Sequence, residues 1–217
     1  MRWIRLIMIL IMALGLGACR KKGPTKQQEI NALLDSGWEA IELDSWSEAR
    51  IDFLDVLDFD PLIASANVGL GWSMILLGDD DLDGAAAYLE KGTTDTQWRY
   101  DAWSGLAAIR LSQGLYAEAD SLAGLVLAAQ PSYVFEKRPE IEWPDLLLIQ
   151  AQARFITTDY AGAWLAIQPV IGGSPLPYGS VDPADPATWV IDGKSYLLFE
   201  QALSVMISKL TDHYRAG

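Results

Sequence analysis

The sequence predicts an all-α fold, an α-α superhelix of stacked antiparallel helix pairs closed by a C-terminal helix. Three observations predict it. A small residue precedes an alanine at a nearly fixed distance four times along the chain; large apolar residues follow each alanine at helical spacing; and Gly or Pro punctuates the boundaries between these segments. With 217 residues, of which 51% are hydrophobic, the chain suits one domain with its own core rather than a disordered segment.

The N-terminus reads as an address. Met1 to Arg5 carries two cations, Leu6 to Leu16 is an apolar run of 11 residues, and Leu16-Gly17-Ala18 precedes Cys19, the single cysteine. A membrane-spanning helix needs about 20 apolar residues, so residues 1–18 fit a signal peptide instead. Leu16-Gly17-Ala18-Cys19 resembles the bacterial lipobox. That resemblance implies cleavage before Cys19, lipidation of its thiol and stable anchoring through two or more acyl chains. An ordinary signal peptide or anchor with an incidental Cys is the alternative. Residues 19–27 then form a membrane-proximal linker, in which Arg20, Lys21, Lys22 and Lys26 suit anionic headgroups.

Charge separates sharply beyond the linker. Ten basic and 29 acidic residues follow position 26, leaving the body at −19 against −13 for the whole chain. An acidic body excludes nucleic acid as a partner, because phosphate binding needs a basic face. One His and one Cys disfavour zinc chemistry, a disulfide framework and a His-based triad.

Residues 28–171 repeat. Trp46-Ser-Glu-Ala49, Leu82-Asp-Gly-Ala85, Tyr116-Ala-Glu-Ala119 and Tyr160-Ala-Gly-Ala163 each place a large residue three before an alanine. The fourth residue after each alanine is Phe53, Leu89, Ala123 and Ile167. Upstream stand Gly37, Gly71, Ala107 and Ala151, at separations of 12, 14, 12 and 12, and Pro61 and Pro131 follow their alanines by 12. This resembles the tetratricopeptide repeat, W-x₂-L-G-x₂-Y…A-x₃-F…P at a 34-residue period. The resemblance implies four helix pairs stacked into a right-handed superhelix. An unrelated Ala-rich helical bundle is the alternative. Small residues let the two helices of a pair approach, and a single pair cannot bury its own apolar face. Gly78 and Gly114 suit left-handed C-caps of first helices, and Asp44-Ser45 and Thr158-Asp159 suit N-caps of second helices.

Regularity fails twice. Gly71 to Ala107 is 36 residues and Ala107 to Ala151 is 44, the excess lying in Tyr133 to Trp143, an expected inserted loop. Residues 172–192 open with four Pro and three Gly by position 186 and are expected as a loop. Residues 193–217 are expected as the capping helix, helical from Lys194 to Tyr214 with Leu197, Leu198, Ala202, Val205, Met206 and Leu210 on one face.

Catalytic candidates are few. Asp79 to Glu90 matches D-x-[DN]-x-[DN]-G-x₅-E, so Asp79, Asp81, Asp83 and Glu90 are candidate calcium ligands. Against that, the repeat phase needs Ala85 and Leu89 inside a helix, which favours a solvated N-capping turn. His213 is expected exposed, and Glu140 and Glu142 as ordinary surface charge. No cofactor, resident metal or enzymatic activity is expected.

The tetratricopeptide resemblance implies a grooved binding surface lined by first helices. By phase these positions are Leu34, Trp38 and Ile41; Val68, Trp72 and Ile75; Ser104, Ala108 and Leu111; and Leu148, Gln152 and Phe155. Leu34, Trp38 and Asp101 stand where chaperone-binding relatives carry a carboxylate clamp, so capture of a C-terminal carboxylate is not expected. Trp38 and Trp72 suit either packing between repeats or a binding hot spot, and are expected to line the partner-binding groove, so that truncating either should weaken partner capture and spare most of the stability. The expected function is a membrane-anchored, exported scaffold that binds a protein partner in the cell envelope, within an assembly or secretion complex. In architecture and length it resembles the tetratricopeptide lipoprotein of the outer-membrane β-barrel assembly machine and the secretin pilotins. Arg20 after the Cys, in place of the Asp that retains lipoproteins at the inner membrane, points to the outer membrane facing the periplasm. A calcium- or small-ligand-binding module centred on the acidic turn is the second reading.

Overall fold

The computed structural model describes residues 23–173 and 181–215. Cys19 and the signal segment lie outside the described residues. The chain divides after Ala32 into two compact units, residues 1–32 and 33–217. In the first, Thr25 and Gln28 exchange hydrogen bonds, Thr25 N–H to Gln28 Oε1 at 2.9 Å and Gln28 N–H to Thr25 Oγ1 at 3.3 Å. That capping box starts helix α1, Lys26–Glu42, by satisfying orphan amides of its first turn.

The second unit holds the repeats. After the C-terminal part of α1 come α2 (Trp46–Phe59), α3 (Ala64–Leu77), α4 (Leu82–Gly92), α5 (Arg99–Ser112), α6 (Tyr116–Ala129), α7 (Trp143–Ile156) and α8 (Tyr160–Gly173). Consecutive helices pack on one another from α2 to α8, and first helices also touch across repeats, α3 with α5 and α5 with α7. The fold is the all-α stack of helix pairs that the repeats predict. Its alternating small and large positions form the core: Ala49, Ala119 and Ala163 are fully buried, as are Phe53, Leu89 and Ile167. A Cβ on Gly71 would stand 2.6 Å from Leu89 Cγ, so only glycine lets α3 and α4 approach this closely.

The four joints within pairs share one device. Asp44, Gly78, Gly114 and Thr158 all have left-handed φ, between 61° and 76°, and each lies seven residues after the small residue of its repeat. Asp44 and Thr158 therefore end first helices rather than capping second ones. Ser45 makes no side-chain cap, whereas Asp159 Oδ1 accepts from Gly162 N–H at 2.9 Å.

Two segments differ from expectation. Residues 133–142 form a β-hairpin instead of an irregular loop, β1 (Val134–Phe135) antiparallel to β2 (Arg138–Glu142). Tyr133 and Phe135 are buried on one face while Val134 is exposed, the period of a strand. The C-terminal helix α9 runs Phe199–Arg215, five residues later than expected. Asp192 and Gly193, at φ 51° and 76°, make the two-residue turn of a second hairpin, β3 (Val190–Ile191) with β4 (Lys194–Ser195). Leu197 is accordingly 90% exposed, not part of the capping face, which is built by Ala202, Leu203, Met206 and Leu210 against α8 and α7.

Candidate functional site

The inner wall of the second unit is made by the first helices α1, α3, α5 and α7. Trp38 and Trp72 occupy equivalent places on α1 and α3, and their indole N–H groups act equivalently. Trp38 Nε1 donates to Ser65 Oγ at 2.8 Å, and Trp72 Nε1 donates to the Asp101 carbonyl at 3.0 Å. Each indole thus ties its repeat to the next, and both are buried, at 5% and 3% exposure. Trp38 also stacks on Trp98 at 4.8 Å and meets Phe53 edge-on at 5.0 Å.

The hairpin closes over both tryptophans. Phe135, fully buried, lies 5.0 Å from the Trp72 ring and edge-on to Trp38 at 6.2 Å. The Tyr133 hydroxyl donates to Asp101 Oδ1 at 2.9 Å and shares a 2.8 Å hydrogen bond with Ser104 Oγ. Lys137 Nζ pairs with Glu42 at 2.8 Å. Arg138 donates to the Ile41 carbonyl at 3.2 Å, pairs with Asp44 and Glu140, and lies over the Trp46 ring at 4.5 Å. Burial pushes the Asp101 carboxyl up to about 6, against the Tyr133 hydrogen bond that favours its charged form; Glu136 pushes it further up. Burial likewise raises the Tyr133 hydroxyl well above its ordinary range.

Beyond the hairpin the wall is open. Between α3, α5 and α7 lies an apolar cavity of about 280 Å³, lined by Trp72, Ile75, Ala108, Leu111, Leu148 and Ile149 among others. Gln152 and Thr211 line both this cavity and a cleft of about 440 Å³ between α7 and α9, which adds Phe155, Ile156, Ser204, Ile207 and Ser208. Gln152 Nε2 donates to Thr211 Oγ1 at 2.8 Å where the two spaces meet.

The wall positions predicted by phase therefore separate. Ile75, Ala108, Leu111, Gln152 and Phe155 line the open spaces, Ser104 and Leu148 border the cavity but are themselves buried, and Leu34 is half-buried on α1. Trp38 is covered by the chain itself and presents no free ring to a partner, and Trp72 is covered by Phe135 except for the edge that borders the cavity. Ile41 is fully buried, and its carbonyl receives Arg138. Val68 is fully buried beside the end of α4, where a Cβ on Gly92 would collide with it, so it serves packing within its pair rather than the wall. Sequence reasoning missed Tyr133, Phe135 and Arg138; the run of aromatic and β-branched residues Tyr133-Val134-Phe135, which favours a strand, was the available signal.

The acidic turn is engaged elsewhere. Asp81 Oδ1 accepts from Gly84 N–H at 2.9 Å as the N-cap of α4, and Asp79 pairs with Arg50 at 3.0 Å. Asp83 accepts from Gln113 Nε2 at 2.8 Å and Glu90 pairs with Arg110 at 2.6 Å. The four carboxylates thus face different partners instead of one centre, because the helix begins at Leu82 as the repeat phase requires. Among the described residues no group of three or more His, Cys, Asp or Glu is placed to hold a metal ion. Glu142 and Asp145 form the capping box of α7, and His213 is exposed.

No family model and no curated protein matches the sequence. Among solved structures, MamA MSR-1 is similar over 86% of this chain and 90% of its own, at 15% identity and TM-score 0.56. MamA AMB-1 is similar over 86% and 95%, at 14% identity and TM-score 0.57. A tetratricopeptide repeat protein from Parabacteroides merdae is similar over 99% of this chain and 73% of its own, at 19% identity and TM-score 0.50. At these identities the likeness is one of fold, and the fold is that of the tetratricopeptide-repeat proteins.

Proposed function

We propose that this protein is an exported, lipid-anchored scaffold that holds a protein partner in the open part of its inner groove and performs no catalysis. The observation that carries the reading is the apolar surface left uncovered along α3, α5, α7 and α9. A contiguous apolar groove with a few polar groups at its edge is a recognition surface more than a packing defect. The fold supports the reading as an analogy, since helical-repeat stacks characteristically bind along their inner walls. Anchoring at Cys19, and residence at the outer membrane facing the periplasm beside an envelope complex, rest on the lipobox resemblance and the basic linker alone. Among the described residues no helix is long and apolar enough to cross a membrane.

A photo-crosslinking residue at Ile149, inside the groove, and another at Leu165, 63% exposed on α8, test the reading in native membranes. Ile149 is expected to yield a discrete protein adduct that Ser208→Trp abolishes by filling the cleft, and Leu165 none. Equal adducts from both positions, or adducts indifferent to Ser208→Trp, would refute the groove. For the anchor, Cys19→Ser is expected to shift the protein out of the membrane fraction; unchanged fractionation in high salt would refute it.

A further inference from the structure

The covered part of the wall is filled by the chain's own hairpin. Its floor is aromatic, Trp38 and Trp72, and receives one aromatic ring, Phe135. Asp101 and Ser104 receive one phenolic hydroxyl. Its edge is acidic, Glu42 and Asp44, and receives a lysine and an arginine whose guanidinium also covers Trp46. These groups come from three different repeats and converge on six consecutive residues, Tyr133 to Arg138.

We propose that this wall is a peptide-binding site for an aromatic segment followed by basic residues, occupied in cis by the hairpin, and that a protein partner carrying the same pattern exchanges with it. The inference extends the reading of the inner wall as a protein-binding surface to its other half, and names the chemistry of the partner.

Three features make the occupant separable from the frame. The helix before the hairpin, α6, packs directly on the helix after it, α7, so the stack continues beneath. Two-stranded hairpins are marginal by themselves, and this one has a two-residue strand with irregular register. Its docking also carries standing costs: Arg138 Nε is buried without a hydrogen-bond partner, and Asp101 is a half-buried carboxylate that loses much of its hydration. The acidic body favours a basic partner segment over an acidic one at every distance within the screening length.

The test uses the full-length protein in detergent and a labelled synthetic peptide of residues 131–143, read by fluorescence anisotropy. The double variant Tyr133→Ala/Phe135→Ala is expected to bind the peptide at least about tenfold more tightly than wild type. A peptide with Phe135→Ala, Lys137→Glu and Arg138→Glu is expected to lose that gain. A double variant that keeps its helical signal and cooperative melting yet binds no better than wild type overturns the proposal. Should that variant not fold, hydrogen exchange on the wild type decides. Amides of residues 134–142 are expected to exchange well before the cores of α6 and α7, and equal protection overturns exchange. Peptide exchange without an Ile149 adduct would remove the open-groove reading alone, and an Ile149 adduct without peptide exchange would remove this one.

Discussion

The two halves of the inner wall began from the same sequence pattern and ended differently. In one, Trp38 and Trp72 lie under Phe135, with exposures of 5% and 3%. In the other, Ile75, Leu111, Ile149 and Phe155 remain half-open to a cavity and a cleft. The difference comes from a ten-residue insertion, not from the repeats. A position's phase in a helical repeat therefore specifies which wall it faces, while its accessibility depends on chain that lies outside the repeat.

The largest expected effect breaks the comparison at its covered end. Trp72→Ala removes a buried ring, its hydrogen bond to Asp101 and the seat of Phe135, and should cost about 3–5 kcal/mol by chemical denaturation. A cost below about 1 kcal/mol would place the Trp72 ring in the surface class with the open half.

Phe135→Ala sharpens the comparison. Its ring is as buried as the tryptophans, but the hairpin can undock locally without parting α6 from α7. The global cost is therefore expected to fall short of that of Trp72→Ala, while near-ultraviolet circular dichroism and quenching report tryptophans newly open to water. Equal costs for the two substitutions would mean that hairpin and stack unfold as one unit.

The smallest effect is a slope. The folded protein holds a proton on Asp101 up to about pH 6, whereas the unfolded chain releases it near 3.8. Across that window the folded state binds more protons, so this group's contribution falls as pH rises from about 4 and is lost above about 6. Asp101→Asn should flatten this part of the stability–pH profile relative to wild type, with Tyr133 keeping an amide oxygen to donate to. An unchanged difference between the two proteins from pH 4 to 7 would contradict the assigned burial.

The frame was legible because it is local and repeated. Ala49, Ala85, Ala119 and Ala163 carry the same packing demand at one helical spacing, and four copies reinforce a pattern that none carries strongly alone. The hairpin was not, because what Phe135 touches lies 63 and 97 residues upstream, and three consecutive strand-favouring residues do not name their partner. The start of α9 was misplaced for a different reason. Leu197 and Leu198 continue the helical spacing of the residues after them, and that continuity outweighed Asp192-Gly193, a turn signal two residues long. Trp38 and Trp72 were read at the right phase but as groove residues open to a partner, whereas both are buried under Phe135; an indole serves a core and a hot spot by the same combination of apolar area and one N–H donor.

The direct packing of α6 on α7 has a consequence for how such a molecule diversifies. Because those helices already meet, the length of chain between Pro131 and Pro144 does not set the geometry of the stack. Closing a longer flexible connection across the same gap costs only about 0.6 kcal/mol for each doubling of its length. Lineages can therefore lengthen, shorten or replace this segment with little penalty to the scaffold, and each new version re-specifies what half of the inner wall accepts. Among homologues, length variation is expected to concentrate at this joint, while the spacings between small residue and alanine stay near 12.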